Sequence, residues 1–305
     1  MMKWGKTNAG KQRWRCNICQ KSGVRMRLDT VRASHQNLFV SWLTGTHTLE
    51  DFALSRKISR QTIHEWFSPL WVNPPIPTPV ALDRGILIVD AISLRGRQDV
   101  VLIGRTLGKV VFWSFALHEN YSSWKDFFLS IPIPAVVVCD GRRGLLQALR
   151  EVFPQAYVQR CVIHIVRYAL SLLTQKPKYK AGIDLRFLVK SILTIRTRRQ
   201  KRRWRRAFMK WCKKYQAFLF ERTYGETKKR SWWYTHRKLR TVRSLILHAL
   251  PHMFTYIGHM YIPRTTNHVE GGINTRAKEL LERHRGLPLK KQQIMMAYYL
   301  SRKQG

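Results

Sequence analysis

The run Gly85-Ile86-Leu87-Ile88-Val89-Asp90-Ala91-Ile92 is apolar at consecutive positions rather than alternate ones, and it carries a carboxylate near its end. Successive side chains of a strand point to opposite faces, so an unbroken apolar run belongs to a strand covered on both sides. Such a strand needs helices packed above and below its sheet. Ala135-Val136-Val137-Val138-Cys139-Asp140 repeats the pattern, again closing on an aspartate. Between them, Asp99–Gly104 and Lys109–Leu117 are strand-like runs separated by short Gly-containing turns, which predicts a three-stranded antiparallel meander. Ser122–Leu129 reads as a helix with Ser122 or Ser123 as cap, and Gly144–Phe153 as a helix closed by Pro154. Ala156–Ile163 predicts a fifth strand running into a helix near His164. The expected class is α/β with a mixed sheet.

Charge makes the two aspartates conspicuous. Lys and Arg total 56 against 17 Asp and Glu, a formal net charge of +39. A carboxylate ending an apolar strand is costly to bury unpaired, and a chain with few acids has few to spare there. A polyanion is the simple explanation of the excess, because Lys and Arg that neutralise phosphates release condensed counterions. A membrane surface is the rival partner, but the apolar faces are committed to a core. Ribosomal or nucleoid proteins share this charge and are usually much shorter. No window approaches the roughly 18 uninterrupted apolar residues of a membrane span. Met1-Met2-Lys3-Trp4-Gly5-Lys6 leads into no apolar stretch, so no export signal is expected. Five cysteines, an odd number, argue against a disulfide framework and fit a reducing cytoplasm.

Residues 1–35 are basic and carry Cys16-Asn-Ile-Cys19, half of the four-ligand set that a structural zinc ion needs. No second CxxC exists, and the spacing of His35 and His47 matches no common finger, so an incomplete ribbon competes with a Zn²⁺ site. Residues 36–72 read as a helix-turn-helix region: a short helix starting at Thr48, then one capped by Ser59, with Ile58, Ile63, Trp66 and Phe67 inward. Arg60, Gln61, Thr62 and His64 would then lie at the exposed start of a recognition helix. An ordinary helical hairpin fits the same pattern. Residues 73–82 hold Asn73-Pro74-Pro75-Ile76-Pro77-Thr78-Pro79, an extended linker. Residues of about 170–260 read as mostly helical and intensely basic. Trp204, Phe208, Trp211, Tyr215 and Phe218 form one stripe at helical spacing, which is core packing. Arg202, Arg203, Arg205 and Arg206 crowd the remaining faces, where mutual repulsion favours a surface turned to DNA. A final apolar helix is expected over 291–305.

Three antiparallel strands followed by strands alternating with helices predict a sheet of the RNase H type. If the strands of Asp90 and Asp140 are neighbours, both side chains converge on one point. Glu270, beyond the helical stretch, could complete the set from a later helix. Two Mg²⁺ (or Mn²⁺) ions roughly 3.5–4 Å apart, held by such carboxylates, suit in-line phosphoryl transfer. A turn or cap role is the bland alternative for each aspartate alone.

The ordered set of Asp90, Val138-Cys139-Asp140-Gly141-Arg142-Arg143-Gly144-Leu145, Phe153-Pro154, Gln159-Arg160-Cys161-Val162-Ile163-His164 and Thr265-Thr266-Asn267-His268-Val269-Glu270 resembles the Mutator-like DDE transposases of bacterial insertion sequences. The resemblance implies an Asp90, Asp140, Glu270 triad in a catalytic domain over 83–290, with an α-helical insertion between the second and third acids. It implies that Cys161 and His164 match that family's CxxH motif. Their open roles are zinc ligation, packing of the fifth strand, or support of the metal site and DNA. Arg142, Arg143, Arg160, Arg167 and Arg276 are candidate phosphate contacts. Asn267 and Asn274 lie at steps from Glu270 that let either orient it or touch DNA. One departure is Gly271-Gly272 directly after Glu270, unusual in a helix.

The expected function is metal-dependent cleavage at transposon ends and transfer of the 3′-hydroxyl into target DNA. Terminal inverted repeats and target DNA would be the double-stranded partners, a homodimer or higher oligomer would act on them, and the protein would sit with the nucleoid. An RNase H-fold nuclease that cuts without joining, and an inactive or truncated transposase that only binds DNA, are the alternatives.

Overall fold

The computed structural model describes residues 1–24, 28–94, 99–225, 231–259, 261–266 and 273–304. The chain divides into two compact units, Met1–Pro75 and Ile76–Gly305.

The first unit begins with a small antiparallel sheet of β1 (Met2–Lys6), β2 (Gln12–Arg15) and β3 (Ser22–Val24). Three helices follow, α1 (Leu28–Thr44), α2 (Leu49–Ser55) and α3 (Arg60–Val72). Thr48 starts α2 in a capping box with Asp51, and the Ser59 side chain accepts from the Thr62 amide at the start of α3. Phe39 and Leu43 of α1 are buried, as are Phe52 of α2 and Ile63 and Phe67 of α3; Phe39 meets Phe67 edge-on at 5.0 Å. Ile58 and Trp66 are only half-buried, Trp66 stacking on His35 at 4.3 Å. The sequence reading places a boundary at residue 36, which falls inside α1. The first half of that helix, Asp29–Asn37, has no apolar stripe, so periodicity could not extend it upstream.

In the second unit, β4 (Ile86–Ser93), β5 (Val100–Arg105), β6 (Val110–Ala116), β7 (Val136–Cys139) and β8 (Tyr157–Arg160) form a mixed sheet in the order β6-β5-β4-β7-β8. The meander β4-β5-β6 is antiparallel, whereas β4-β7 and β7-β8 are parallel. Both faces are covered. Leu87 and Val89 lie in a core with Trp124, Phe127 and Phe128 of α4 (Tyr121–Leu129) and Leu145, Ala148 and Leu149 of α5 (Arg143–Val152). Ile86, Ile88, Val136 and Val138 belong to the opposite core. That core contains residues of α6 (Val162–Leu172), α7 (Lys180–Ser191), α8 (Arg198–Lys214), α9 (Gln216–Phe220) and α10 (Arg237–Ala249). This two-sided burial is why β4 reads as continuously apolar. Asn120, rather than Ser122 or Ser123, caps α4, with Ser123 completing the capping box.

The aromatic stripe of α8 packs inward. Trp204 stacks on Phe208 at 5.5 Å and Phe208 on Trp211 at 6.1 Å, while both indole N–H groups donate to α7 carbonyls, of Leu188 and Ala181. Arg202, Arg203, Arg205 and Arg206 remain exposed. The helical stretch is interrupted by a hairpin, β9 (Arg222–Tyr224) with β10 (Trp232–Tyr234), where aromatic residues favour a strand. The chain ends with α11 (Thr275–Arg283) and α12 (Leu289–Ser301), the latter buried from Ile294 to Leu300. The residues after α12 close the free edge of β6: the Val110 amide donates to the Lys303 carbonyl (2.8 Å). Among the described residues no helix is long and apolar enough to cross a membrane.

Phe208 is fully buried in the middle of the stack. Phe208→Ala should cost about 3–5 kcal/mol of stability, read as a lower urea midpoint. An unchanged midpoint would mean that the stripe does not hold α8 in place.

Candidate functional site

Strand parity and register place the two aspartates. Ile86, Ile88 and Asp90 share one face of β4, and Val136 and Val138 pair with Ile86 and Ile88 across the parallel β4-β7 contact. Two residues further on, that register sets Asp90 beside Asp140, which follows the last residue of β7. Asp90 is half-buried, and its Oδ1 accepts from the Ala91 amide at 3.0 Å. The fully buried Asn274, just before α11, donates from Nδ2 to Asp90 Oδ2. Burial pushes the Asp90 carboxyl above its usual range, and the Asp140 charge adds to this; the Ala91 amide, His164 and Lys278 oppose it.

Asp140 meets the start of α5. The Arg142 amide donates to its Oδ1 (3.0 Å), the Arg142 Nε donates to its Oδ2 (3.1 Å), and Arg142 also reaches Glu119 Oε2 at 2.6 Å. Glu119 is thus a third acid in the same field. Burial raises its carboxyl, the Arg142 guanidinium lowers it, and Asp140 and Asp90 raise it. Gly141 has φ 82°, and a Cβ there would lie 1.9 Å from Arg160 Nε. Glycine at this turn is what lets Arg160, 7% exposed, extend beneath the loop that carries Asp140.

Cys161 lies between β8 and α6. Its Sγ accepts from both the amide and the hydroxyl of Thr266, each at 3.4 Å, and the Val162 amide donates to the Arg264 carbonyl at 3.2 Å. The segment leading toward Glu270 is thereby tied to the end of β8. Burial alone pushes the Cys161 thiol up; hydrogen bonds with His164 and Thr266 more than reverse this, leaving it below the ordinary thiol value. Glu270 and Asn267 lie outside the described residues.

The remaining candidates are dispersed. Arg60, Gln61 and His64 are exposed and Thr62 half-buried on the first turns of α3, where Gln61 donates to Glu65 at 3.1 Å. Arg143 and Arg167 are exposed on α5 and α6, and Arg276 pairs with Glu279 at 2.9 Å on α11. Cys16 and Cys19 are free thiols on the β2-β3 turn; hydrogen bonds from the Cys19 and Ile18 amides hold the Cys16 thiol below its ordinary value. Sequence reasoning missed Glu119 and its Arg142 link. The only available signal was the scarcity of acids, which makes any carboxylate flanking a sheet strand worth noting.

The donors around Asp90 suit a hard cation. Two carboxylates are joined by the Asn274 carboxamide, whose buried Oδ1 has no hydrogen-bond partner among the described residues. Oxygen donors of this kind fit Mg²⁺ or Mn²⁺. Among the described residues no group of three or more His, Cys, Asp or Glu side chains is placed to hold a metal ion, for Mg²⁺ or for Zn²⁺.

Residues 85–247, which contain the sheet, both aspartates and the Cys161–His164 pair, match the family model described as Transposase, Mutator family. The chain belongs to that family. It is 31% identical over 114 residues to the transposase for insertion sequence element ISRM5 of Rhizobium meliloti (strain 1021), a match covering 36% of this chain and 26% of that protein. It is 26% identical over 98 residues to the probable transposase for insertion sequence element ISRM3-like of Sinorhizobium fredii (strain NBRC 101917 / NGR234), covering 32% of this chain and 23% of the relative. The matched stretches therefore span only about a quarter of these transposases. Glu270 lies beyond the residues that match the Mutator family model.

Asp90 gives the site a stability signature. Its folded pKa is raised, so its ionisation costs stability as pH rises through that value. Asp90→Asn should therefore melt higher than the wild type near neutral pH in the presence of a chelator. The gain should shrink at acid pH, where the wild-type carboxyl is already protonated. Differential scanning fluorimetry checks both; an Asn variant that melts lower at neutral pH would contradict the burial argument.

Proposed function

We propose that this Mutator-family chain is a DDE transposase that cuts DNA at transposon ends and joins the freed 3′-hydroxyl to target DNA at a site built from Asp90, Asp140 and Glu270. The observation that carries this reading is the parallel β4-β7 register, which runs from the paired Ile88 and Val138 toward Asp90 within β4 and Asp140 just past the end of β7. The order β6-β5-β4-β7-β8, with an antiparallel meander on one side and parallel strands on the other, supports an RNase H-like core. The capped pair α2 and α3, with Arg60, Gln61, Thr62 and His64 on the first turns of α3, supports a helix-turn-helix reader of the terminal inverted repeats.

Bound Mg²⁺ or Mn²⁺ supplies Lewis acidity and charge neutralisation at the phosphate. Asp90 and Asp140 hold the metal side of the site. The Asn274 amide keeps the Asp90 carboxylate oriented, and Cys161 holds Thr266, on the segment that leads toward Glu270. Water, and then the exposed 3′-hydroxyl, attacks the phosphorus in line with the leaving 3′ oxygen. Arg142 and Arg143 at the start of α5, Arg160, Arg167, Arg276, and Arg202, Arg203, Arg205 and Arg206 on α8 supply positive charge to DNA phosphates. Because two transposon ends are joined together, a homodimer or larger assembly on DNA is part of the proposal, as is association with the nucleoid.

The test is strand transfer by the purified chain with Mg²⁺ or Mn²⁺, a labelled duplex bearing the inverted repeat, and a supercoiled target. Asp90→Asn, Asp140→Asn and Glu270→Gln should each reduce joining to background while DNA binding persists. Asn274→Ala should cost about 10- to 100-fold, as loss of an orienting partner does. Cleavage without joining would make the chain a nuclease. Binding with neither, in wild type and variants alike, would overturn the catalytic reading.

A further inference from the structure

A cleft of about 1290 Å³ opens beside Gly141, immediately next to Asp140, and runs between α5 and α10. Its walls are two helix faces that present polar groups to each other. On α5, Arg143, Gln147 and Arg150 line it at steps of four and three; on α10, Thr241, Ser244 and His248 line it at steps of three and four. All six are exposed. Helices that frame a core turn apolar stripes inward; here, among the described residues, Leu146 and Leu245 are the only aliphatic side chains that line the space. The cationic groups outnumber the one lining carboxylate, that of Glu151, which is already paired with Lys125 at 2.7 Å.

The end of the cleft nearest Asp140 holds an independent sign of a ligand. Arg160 is 7% exposed, its Nε has no hydrogen-bond partner among the described residues, and it lines the cleft. Its guanidinium reaches the Asp140 carbonyl only at 3.4 Å, through Nη2. A phosphate in the cleft would give this Nε the acceptor it lacks among the described residues. At the other end, Nδ1 of His248 donates to the Ser244 carbonyl (2.7 Å), which leaves Nε2 for a ligand. The exposed ring of Tyr168 offers a face on which a base can stack.

We propose that the cleft between α5 and α10 binds a single strand of DNA, with Arg160 and Arg150 on successive phosphates and Tyr168 against a base, so that the strand enters or leaves the metal site past Asp140. This rests on the transposase reading above and adds to it the path of one strand. The alternation of cations with an aromatic face is the combination that single-strand grooves use.

The full chain, incubated with an oligothymidylate carrying 4-thiothymidine, is irradiated and its cross-linked peptides are mapped; strand transfer is measured in parallel. Cross-links should fall on the peptides of Tyr168 and His248. Arg150→Ala should lower their yield several-fold and reduce the salt slope of oligonucleotide binding by about 0.7, the effect of one phosphate contact on a single strand. Arg160→Lys, which keeps the charge and loses the planar fork, should lower the yield as well. Arg285→Ala, which removes an exposed charge that does not line the cleft, should leave the yield unchanged. Cross-links confined to other segments, or Arg150→Ala and Arg285→Ala behaving alike, would overturn the proposal, as would a duplex of equal length competing as well as the single strand. Strand transfer without cross-links in the cleft would remove the cleft and leave the chemistry; cross-links in the cleft without transfer would do the reverse.

Discussion

The parallel pairing of β4 with β7 is the contact on which the rest of the second unit depends. Ile86, Leu87 and Ile88 lie opposite Val136, Val137 and Val138, so successive pairs supply apolar side chains to alternate faces of the sheet. A slip of one residue would move the whole set to the wrong side. Such a slip would also turn the two aspartates away from each other. The register therefore secures both the core and the approach of Asp90 to Asp140.

Holding two carboxylates this close in a half-buried place has a cost, visible in the raised pKa of Asp90. The surroundings offset it locally. Arg142 bridges Asp140 and Glu119, the Asn274 amide donates to Asp90, and backbone amides of Ala91 and Arg142 donate to the two aspartates. Asn274 begins α11, Arg142 begins α5, and Thr266 is fastened to Cys161 at the end of β8. Elements far apart in sequence are thus gathered around one strand end. The helices of 162–249 do more than fill the span between acids: their apolar sides form one face of the core, while Arg202, Arg203, Arg205 and Arg206 remain outside.

Much of this was legible in the chain. Unbroken apolar runs ending in aspartate announced buried strands, since only a strand covered on both faces tolerates them. The aromatic spacing of Trp204, Phe208 and Trp211 announced a helix packed on one side. Contacts between distant residues were less legible. Glu119 joins Asp140 only because α4 packs along α5, and nothing local to His118-Glu119-Asn120 encodes that. Helical spacing puts Asn274 near Glu270 or DNA, but its amide donates to Asp90, nearly two hundred residues earlier. The α5-α10 cleft was invisible for the same reason: its walls come from segments whose arginines and hydroxyls look like ordinary solvated faces when read singly.

The most direct test of the paired-aspartate site is iron-directed self-cleavage. Fe²⁺ is added in place of Mg²⁺ with ascorbate and peroxide, and the positions of backbone cuts are read by mass spectrometry. Cuts should cluster beside Asp90, beside Asp140 and in the 264–274 segment, should be competed away by Mg²⁺, and should disappear in Asp90→Asn. Cuts concentrated near Cys16 and Cys19, or cuts at Asp90 without cuts at Asp140, would contradict a metal site shared by the two aspartates.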